Sequence, residues 1–327
     1  AYVAELQVLI GRGDGGFTPG GRFPVADVVK GLAIGDLDRD GVPDLAVACG
    51  SGVSVLRGDG AGNLGPRVDH AMGAQPVAVE LGDLNEDGWL DLVTADQAGN
   101  AVGARLGNGS GGFFGYGAVA VGGTPVAVAL GDVTGDGHLD VVAANFAVDT
   151  VTLLPGTGAG LFLAASTYAT GDSPRNLALG DLSGDGLPDL LVANAATGVN
   201  TVSLLLNDGA GGLAPRTDYH APVTCFDVTI GDLNQDGQPD AAACGLTYSH
   251  AAVWLGDGLG HLGSGEWKSA GTSPSSVLLA DLDRDGRSDL VTGDYTAPSV
   301  SVWLALHRTH TALTVTPLAA IITPRHP

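Results

Sequence analysis

One nine-residue pattern, D-x-[DNST]-x-D-G-x-x-D, recurs six times in this chain of 327 residues. The copies run from Asp36 to Asp44, Asp83 to Asp91, Asp132 to Asp140, Asp181 to Asp189, Asp232 to Asp240 and Asp281 to Asp289, and their starts lie 47, 49, 49, 51 and 49 residues apart. A period in this range means an array of like supersecondary units, which points to a propeller or a solenoid before any other fold. Before each loop the apolar residues alternate: Leu32 and Ile34, Val79 and Leu81, Val128 and Leu130, Leu177 and Leu179, Val228 and Ile230, Val277 and Leu279. Period-two alternation reads as a half-buried strand. Gly or Ala stands just before each loop, where neighbouring sheets approach closely.

After the loop come a second strand (Leu45 to Ala48, Val141 to Ala144) and a third (Val53 to Leu56, Val151 to Leu154, Val202 to Leu206). A glycine-rich turn such as Gly58-Asp59-Gly60 or Gly256-Asp257-Gly258 then leads to a weaker fourth strand. Four strands in about 49 residues, with short connections and no helical period, describe one antiparallel blade of an all-β propeller. Residues 1–27 match half a unit, with Leu6 to Ile10 as a third strand and Gly13-Asp14-Gly15 as its turn. Six full repeats follow, so residues 1–306 read as the propeller. Residues 307–327 fall off the pattern, as a linker or as strands closing a blade with the N-terminal half. The expectation is seven blades.

Successive side chains point to opposite sides of a loop, so alternate positions can converge on one ion, and hard Ca²⁺ takes six to eight oxygens. Side-chain oxygens would come from Asp36, Asp38 and Asp40; Asp83, Asn85 and Asp87; Asp132, Thr134 and Asp136; Asp181, Ser183 and Asp185; Asp232, Asn234 and Asp236; Asp281, Asp283 and Asp285. Carbonyl oxygens would come from Val42, Leu90, His138, Leu187, Gln238 and Arg287, and closing carboxylates from Asp44, Asp91, Asp140, Asp189, Asp240 and Asp289. The glycine at the sixth position turns the chain sharply. The varying third position keeps an oxygen donor in every copy, which an acidic surface alone would not require. An EF-hand ends on a bidentate Glu at position twelve, where this chain has Val47, Thr94, Ala143, Val192, Ala243 or Thr292. The metal expected is therefore Ca²⁺, up to six ions, in strand-flanked loops. They hold 20 of the 36 acids, and six ions would bring the net charge of −22 to about −10.

These loops and the strands before them, such as Val126 to Asp132, together with turns such as Gly256-Asp257-Gly258-Leu259-Gly260, resemble the FG-GAP/VCBS repeats of integrin α-subunit propellers and bacterial surface proteins. The resemblance spans roughly residues 1–306. It implies a propeller with calcium between the first and second strands of each blade, and extracellular binding or adhesion. Some relatives of this kind are lectins or sit beside enzyme domains.

The strongly acidic balance excludes a nucleic-acid partner, which needs clustered Lys and Arg, and no apolar stretch is long enough to insert in a membrane. The chain starts at Ala1 with no signal peptide before it, as expected of a processed or excised piece of a secreted or surface protein. The functional expectation is a non-catalytic interaction or adhesion module with a protein or glycan ligand, the alternative being a lectin-like propeller or an accessory domain of a polysaccharide-active enzyme. Candidate contacts on the connections away from the loops are Gln97, Asn100, Phe146, Asp149, Tyr248, His250 and Tyr295; Trp254, Trp267 and Trp303 are candidate sugar platforms. No nucleophile elbow, zinc-binding or phosphate-loop motif occurs, so no catalytic residue is assigned. Arg12-Gly13-Asp14 and Arg57-Gly58-Asp59 read as chance tripeptides on a repeated turn, and Asn108-Gly109-Ser110 as a formal glycosylation acceptor. Cys49, Cys225 and Cys244 are too few for a disulfide scaffold; Cys225 and Cys244 are read as buried thiols, with a bridge between them as the alternative.

Overall fold

The ninth loop residue is also the first residue of a strand, so each acidic loop is the bend of a β-hairpin. A computed structural model describes residues 4–196, 200–221, 224–246, 249–296 and 299–305. Its elements are almost wholly β, with one 3₁₀ turn at Gln97–Gly99. Blade one consists of β3 (Val29–Gly35), β4 (Asp44–Cys49), β5 (Gly52–Leu56) and β6 (Val68–His70), preceded by β1 (Glu5–Gly11) and β2 (Phe17–Pro24) as a two-stranded sheet. Blade two consists of β7 (Pro76–Gly82), β8 (Asp91–Asp96), β9 (Ala101–Gly107) and β10 (Phe113–Ala120). Blade three consists of β11 (Pro125–Gly131), β12 (Asp140–Asn145), β13 (Thr150–Leu154) and β14 (Ser166–Ala169).

Blade four has β15 (Pro174–Gly180), β16 (Asp189–Asn194), β17 (Thr201–Leu205) and β18 (Thr217–His220). Blade five has β19 (Asp227–Gly231), β20 (Asp240–Cys244), β21 (His250–Trp254) and β22 (Glu266–Ser269). Blade six shows β23 (Pro274–Ala280), β24 (Asp289–Asp294) and β25 (Val300–Trp303). Strands follow chain order in every sheet. This is a β-propeller with six blades, not the seven expected: β1 and β2 form only a pair, and residues 307–327 lie outside the described residues.

The antiparallel registers carry a regularity. Leu45 pairs with Leu56, 11 residues on. Leu92 pairs with Arg105, Val141 with Leu154, Ala241 with Trp254 and Leu290 with Trp303, all 13 on. Leu190 pairs with Leu205, 15 on. From that third-strand partner to the next loop's first Asp the distance is constant at 27 residues, as from Leu56 to Asp83 or Leu205 to Asp232.

The described residues divide into two compact units: Gly20–Pro174 with Asn207–Gly212 and the described part of Ala1–Val8, and Leu9–Pro19 with Arg175–Leu206 and the described part of Leu213–Pro327. Within each unit the core lies between successive sheets. In the first, Val93, Val102 and Ala104 of blade two meet Val128, Val141 and Leu154 of blade three. In the second, Leu191, Val202 and Leu204 of blade four meet Ala241, Ala243 and Trp254 of blade five. Small residues let the sheets come close. A Cβ at Gly82, ahead of the second loop, would lie 2.6 Å from Leu130, and one at Gly231 would lie 2.7 Å from Leu279.

Blade one departs from the expected half-buried first strand. Val79, Val128, Leu177, Val228 and Val277 are buried, but Leu32 and Ile34 are 52% and 66% exposed. The pair β1–β2 packs Ala4, Leu6 and Phe23 against blade-one residues that include Val47 and Leu56. Having two strands only, it leaves the outer face of β3 uncovered among the described residues.

Candidate metal centre

Each loop is held by its own carboxylates. One oxygen of the first Asp accepts from the N–H of the sixth-position glycine in all six copies, from Asp36 with Gly41 to Asp281 with Gly286, at 2.7–3.0 Å. The fifth-position Asp accepts from the N–H two residues on, at 2.8–3.0 Å. In the second loop that donor is Trp89, paired with Asp87 as Val42 is with Asp40. The seventh position there is therefore Trp89, and Leu90, taken as the carbonyl donor by counting, stands one residue too far. The turn needs left-handed backbone twice. The sixth-position glycines have φ from +82° to +90°, and the fourth position is left-handed in every copy, at Arg39, Glu86, Gly135, Gly184, Gln235 and Arg284. Sequence reading missed this second bend, though glycine in two of the six copies was its signal.

The ninth Asp works differently. Asp44, Asp91, Asp140, Asp189, Asp240 and Asp289 are all buried. One oxygen accepts an N–H from the start of the loop, that of Leu37, Leu84, Thr134, Leu182, Leu233 or Leu282. In five copies the other accepts from the residue ending the third strand, Gly58, Gly107, Gly156, Gly256 or Ala305. The carboxylate thus brackets loop and turn together, and each oxygen keeps a lone pair for a further partner. Burial raises the carboxyls of Asp44, Asp140 and Asp240 above the ordinary range, and pushes Asp91 up to about 6, with the charges of Asp87 and Asp83 adding to the rise.

The first and last loops bring three acids together. Oxygens of Asp36, Asp38 and Asp40, and likewise of Asp281, Asp283 and Asp285, lie within 4.8 Å of one another. Asp36 Oδ1 and Asp38 Oδ1 are buried with no hydrogen-bond partner, as is Thr134 Oγ1 at the third position of loop three. Asp38 Oδ2 pairs with Arg57 at 3.1 Å. In the other loops Asn85, Thr134, Ser183 and Asn234 replace the third carboxylate; Asn85 and Asn234 each donate 2.9 Å to the fifth Asp. A ring of oxygens with buried, donorless members suits a hard cation, since buried charged oxygens need compensation. Ser183, Asp185, Leu187 and Gln238 keep the same loop places as their counterparts. Neighbouring loops also touch: Arg39 lies over the Trp89 ring at 4.0 Å, and Glu86 bonds His138.

Several candidate contacts turn out to be supports. Asn100 Oδ1 accepts from Thr124 N at 2.7 Å, and Asp149 Oδ1 from Ser173 N at 2.8 Å, each fixing the start of the following blade. The backbone N–H groups of Gln97, Phe146 and Tyr295 donate to Gln75, Thr124 and Ser273 in the same way. Tyr295 still exposes 74% of its surface. Tyr248 lies outside the described residues. Trp254 is core, Trp303 is partly buried against blades five and six, and Trp267 is half-exposed with His250 edge-on at 5.6 Å. A cavity of about 290 Å³ beside Trp303 is also lined by Asn234, Glu266 and Lys268.

Both Arg-Gly-Asp tripeptides are self-engaged. Arg12 pairs with Asp14, and Arg57 reaches Asp38 and the Ser110 carbonyl while Asp59 holds Ala61 and Asn63. They are also not equivalent, because Arg12 N bonds Gly16 O as Asp59 N bonds Asn63 O, a shift of two positions. Asn108 uses its side-chain oxygen to hold Ser110 and Gly112. All three cysteines are free and buried, and burial pushes the Cys225 thiol up to about 12.

No curated protein matches the chain in sequence. Among solved structures, an Agrocybe aegerita lectin recognising non-reducing terminal N-acetylglucosamine is similar over 96% of this chain and 90% of its own, at 20% identity and a TM-score of 0.63. A candidate 6-phosphogluconolactonase from Bacteroides fragilis is similar over 97% of this chain and 94% of its own, at 17% identity and a TM-score of 0.66. BBS1N, solved in complex with ARL6DN, is similar over 93% and 89%, at 13% identity and a TM-score of 0.65. At these identities the likeness is one of fold alone. The FG-GAP-like repeat matches five times in overlapping register, at residues 36–94, 83–143, 132–192, 181–243 and 232–292, each match running from one acidic loop through the next. The chain belongs to the FG-GAP-like repeat family.

Proposed function

We propose that this chain is a calcium-binding propeller that acts outside the cell as a non-catalytic interaction or adhesion module for a protein or glycan ligand. The observation that carries the calcium reading is the buried, donorless pair Asp36 Oδ1 and Asp38 Oδ1 inside a three-carboxylate cluster. Repulsion among such groups is relieved by a divalent ion, and the mixed acid, amide, hydroxyl and carbonyl donors favour Ca²⁺ over Mg²⁺, which demands tight octahedral geometry. In each loop the first, third, fifth and ninth side chains and the seventh carbonyl would hold the ion, which supplies charge neutralisation and a rigid bend. Carboxylates already committed to backbone N–H groups orient a loop better than they carry protons, which favours the non-catalytic reading. No helix among the described residues is long and apolar enough to cross a membrane.

Calorimetry tests this directly. Calcium uptake of up to six ions per chain, with weaker Mg²⁺ binding, is expected, and no uptake would end the reading. One observation favours a glycan ligand: Trp267 presents a half-exposed ring braced by His250, and aromatic faces stack readily on the apolar face of a sugar. A glycan array with the parent and Trp267→Ala separates the two ligand classes. Binding lost in the variant selects the glycan, and an array empty for the parent selects a protein.

A further inference from the structure

The carbonyl of the second loop residue lies between the first and third candidate ligands, and its hydrogen bond leaves its own blade. In the first unit Leu37 O accepts from Gly111 N at 3.0 Å, and Leu84 O from Gly160 N at 2.9 Å. In the second unit Leu182 O accepts from Gly260 N at 3.0 Å, and Leu282 O from Gly15 N at 3.3 Å. Gly111, Gly160 and Gly260 belong to the third-to-fourth-strand turns of blades two, three and five, each one blade beyond the loop it meets. Gly15 belongs to the corresponding turn of β1–β2. All four occupy one position of that turn, and all are left-handed, with φ of +69°, +70°, +84° and +76°. Asn207 Nδ2 makes a comparable bond to Val133 O at 2.7 Å.

The turn also rests on the loop sterically. A Cβ at Gly160 would lie 3.6 Å from Asn85 Cβ, and the Gly258 carbonyl would lie 2.9 Å from a Cβ at Gly184. Leu37, Leu84 and Leu182 are buried, so the loop is pinned on one side by core packing and on the other by the turn. The backbone linking the first ligand to the third cannot shift without releasing the turn.

We infer that this turn glycine is a positioning residue for the calcium loop of the preceding blade, so that ion occupancy and turn docking stabilise each other across the blade boundary. The inference rests on the calcium reading above. Linkage makes the effect reciprocal: whatever calcium adds to turn docking, the docked turn adds to calcium affinity.

Hydrogen exchange read by mass spectrometry on the full chain, with calcium and with EDTA, tests this in the parent and in Asp87→Asn. Asp87 lies in loop two, whose Leu84 carbonyl meets Gly160 of blade three. Calcium is expected to slow exchange around Gly160 by about tenfold in the parent. Asp87→Asn should abolish that protection while sparing Gly111, which docks on loop one. Calcium uptake without protection at Gly160, or protection that survives in Asp87→Asn, overturns the inference. Loss at Gly111 in place of Gly160 also overturns it, because coupling would then run within a blade. If calorimetry finds no uptake by the parent, the calcium reading falls first and this one with it.

Should Asp87→Asn fail to fold, Gly160→Ala reports on the same contact, since its Cβ would lie 2.8 Å from Leu106 in a left-handed position. Terbium luminescence sensitised by Trp89 in loop two should then require about tenfold more terbium. An unchanged titration overturns the inference.

Discussion

Glu80 is an acid that the loops do not explain. It sits on β7 opposite Val93, three residues ahead of loop two, and burial alone pushes its carboxyl up to about 7 from an ordinary 4.5. The folded chain therefore keeps a proton there that the unfolded chain releases. Stability must fall as pH rises from about 4.5 to about 7, because the folded state binds more protons throughout that window. Glu80→Gln should remove this slope and raise stability at pH 8 by about 2 kcal/mol, less than the full shift implies because the side chain still touches solvent. Urea midpoints at several pH values, parent against variant in EDTA, check it; parallel curves would refute it. Most loop side chains were legible at this scale, because the pattern fixes residue type position by position. Arg57 was not. It reaches Asp38 across 19 residues of sequence and Ser110 from the next blade, contacts that exist only once the sheets have packed.

At the scale of the element, first and second strands were legible because one or both faces are buried and apolar. Fourth strands were not: β6 has three residues, β14, β18 and β22 have four, and their exposed faces carry no alternation. The end of the third strand makes a sharper demand. At Gly58, Gly107, Gly156 and Gly256 a Cβ would overlap the carbonyl of the residue preceding the ninth Asp. That backbone oxygen cannot swing away without breaking the bracket. Gly156→Ala should cost about 1–3 kcal/mol by overpacking, read as a lower urea midpoint. Asn207 and Ala305 stand at the corresponding places of blades four and six, so the cost reflects local geometry and is not a bar to folding. A midpoint unchanged by Gly156→Ala would show that the carbonyl yields freely.

For the whole molecule, the repeat period revealed the propeller, but blade count was beyond it. Half a unit at one end of a sequence does not say whether a complementary half exists to pair with it. Calcium should stabilise the fold by mass action. At tenfold excess over each dissociation constant, linkage gives about 1.4 kcal/mol per site, or about 8 kcal/mol for six independent sites. That is comparable to the entire stability of an ordinary domain. Melting in excess calcium should therefore exceed melting in EDTA, and Asp40→Ala should remove one site's share while the remaining blades stay folded. An unchanged midpoint on chelation would reduce the loops to metal-free turns.

The strand registers carry one more consequence. Every gain or loss of length among the six repeats falls in the connection between second and third strands, where paired residues stand 11, 13 or 15 apart. The rest of the unit holds to a fixed count of 27. The increments are even because an odd one would turn each third-strand side chain to the opposite face and empty the core. The repeat is thus a cassette with one rigid rim, locked by acidic bends and docked turns, and one elastic rim that lengthens in quanta of two residues. Insertions grafted on the elastic rim in pairs would leave the cassette intact, whereas a single extra residue there would unmake its hairpin.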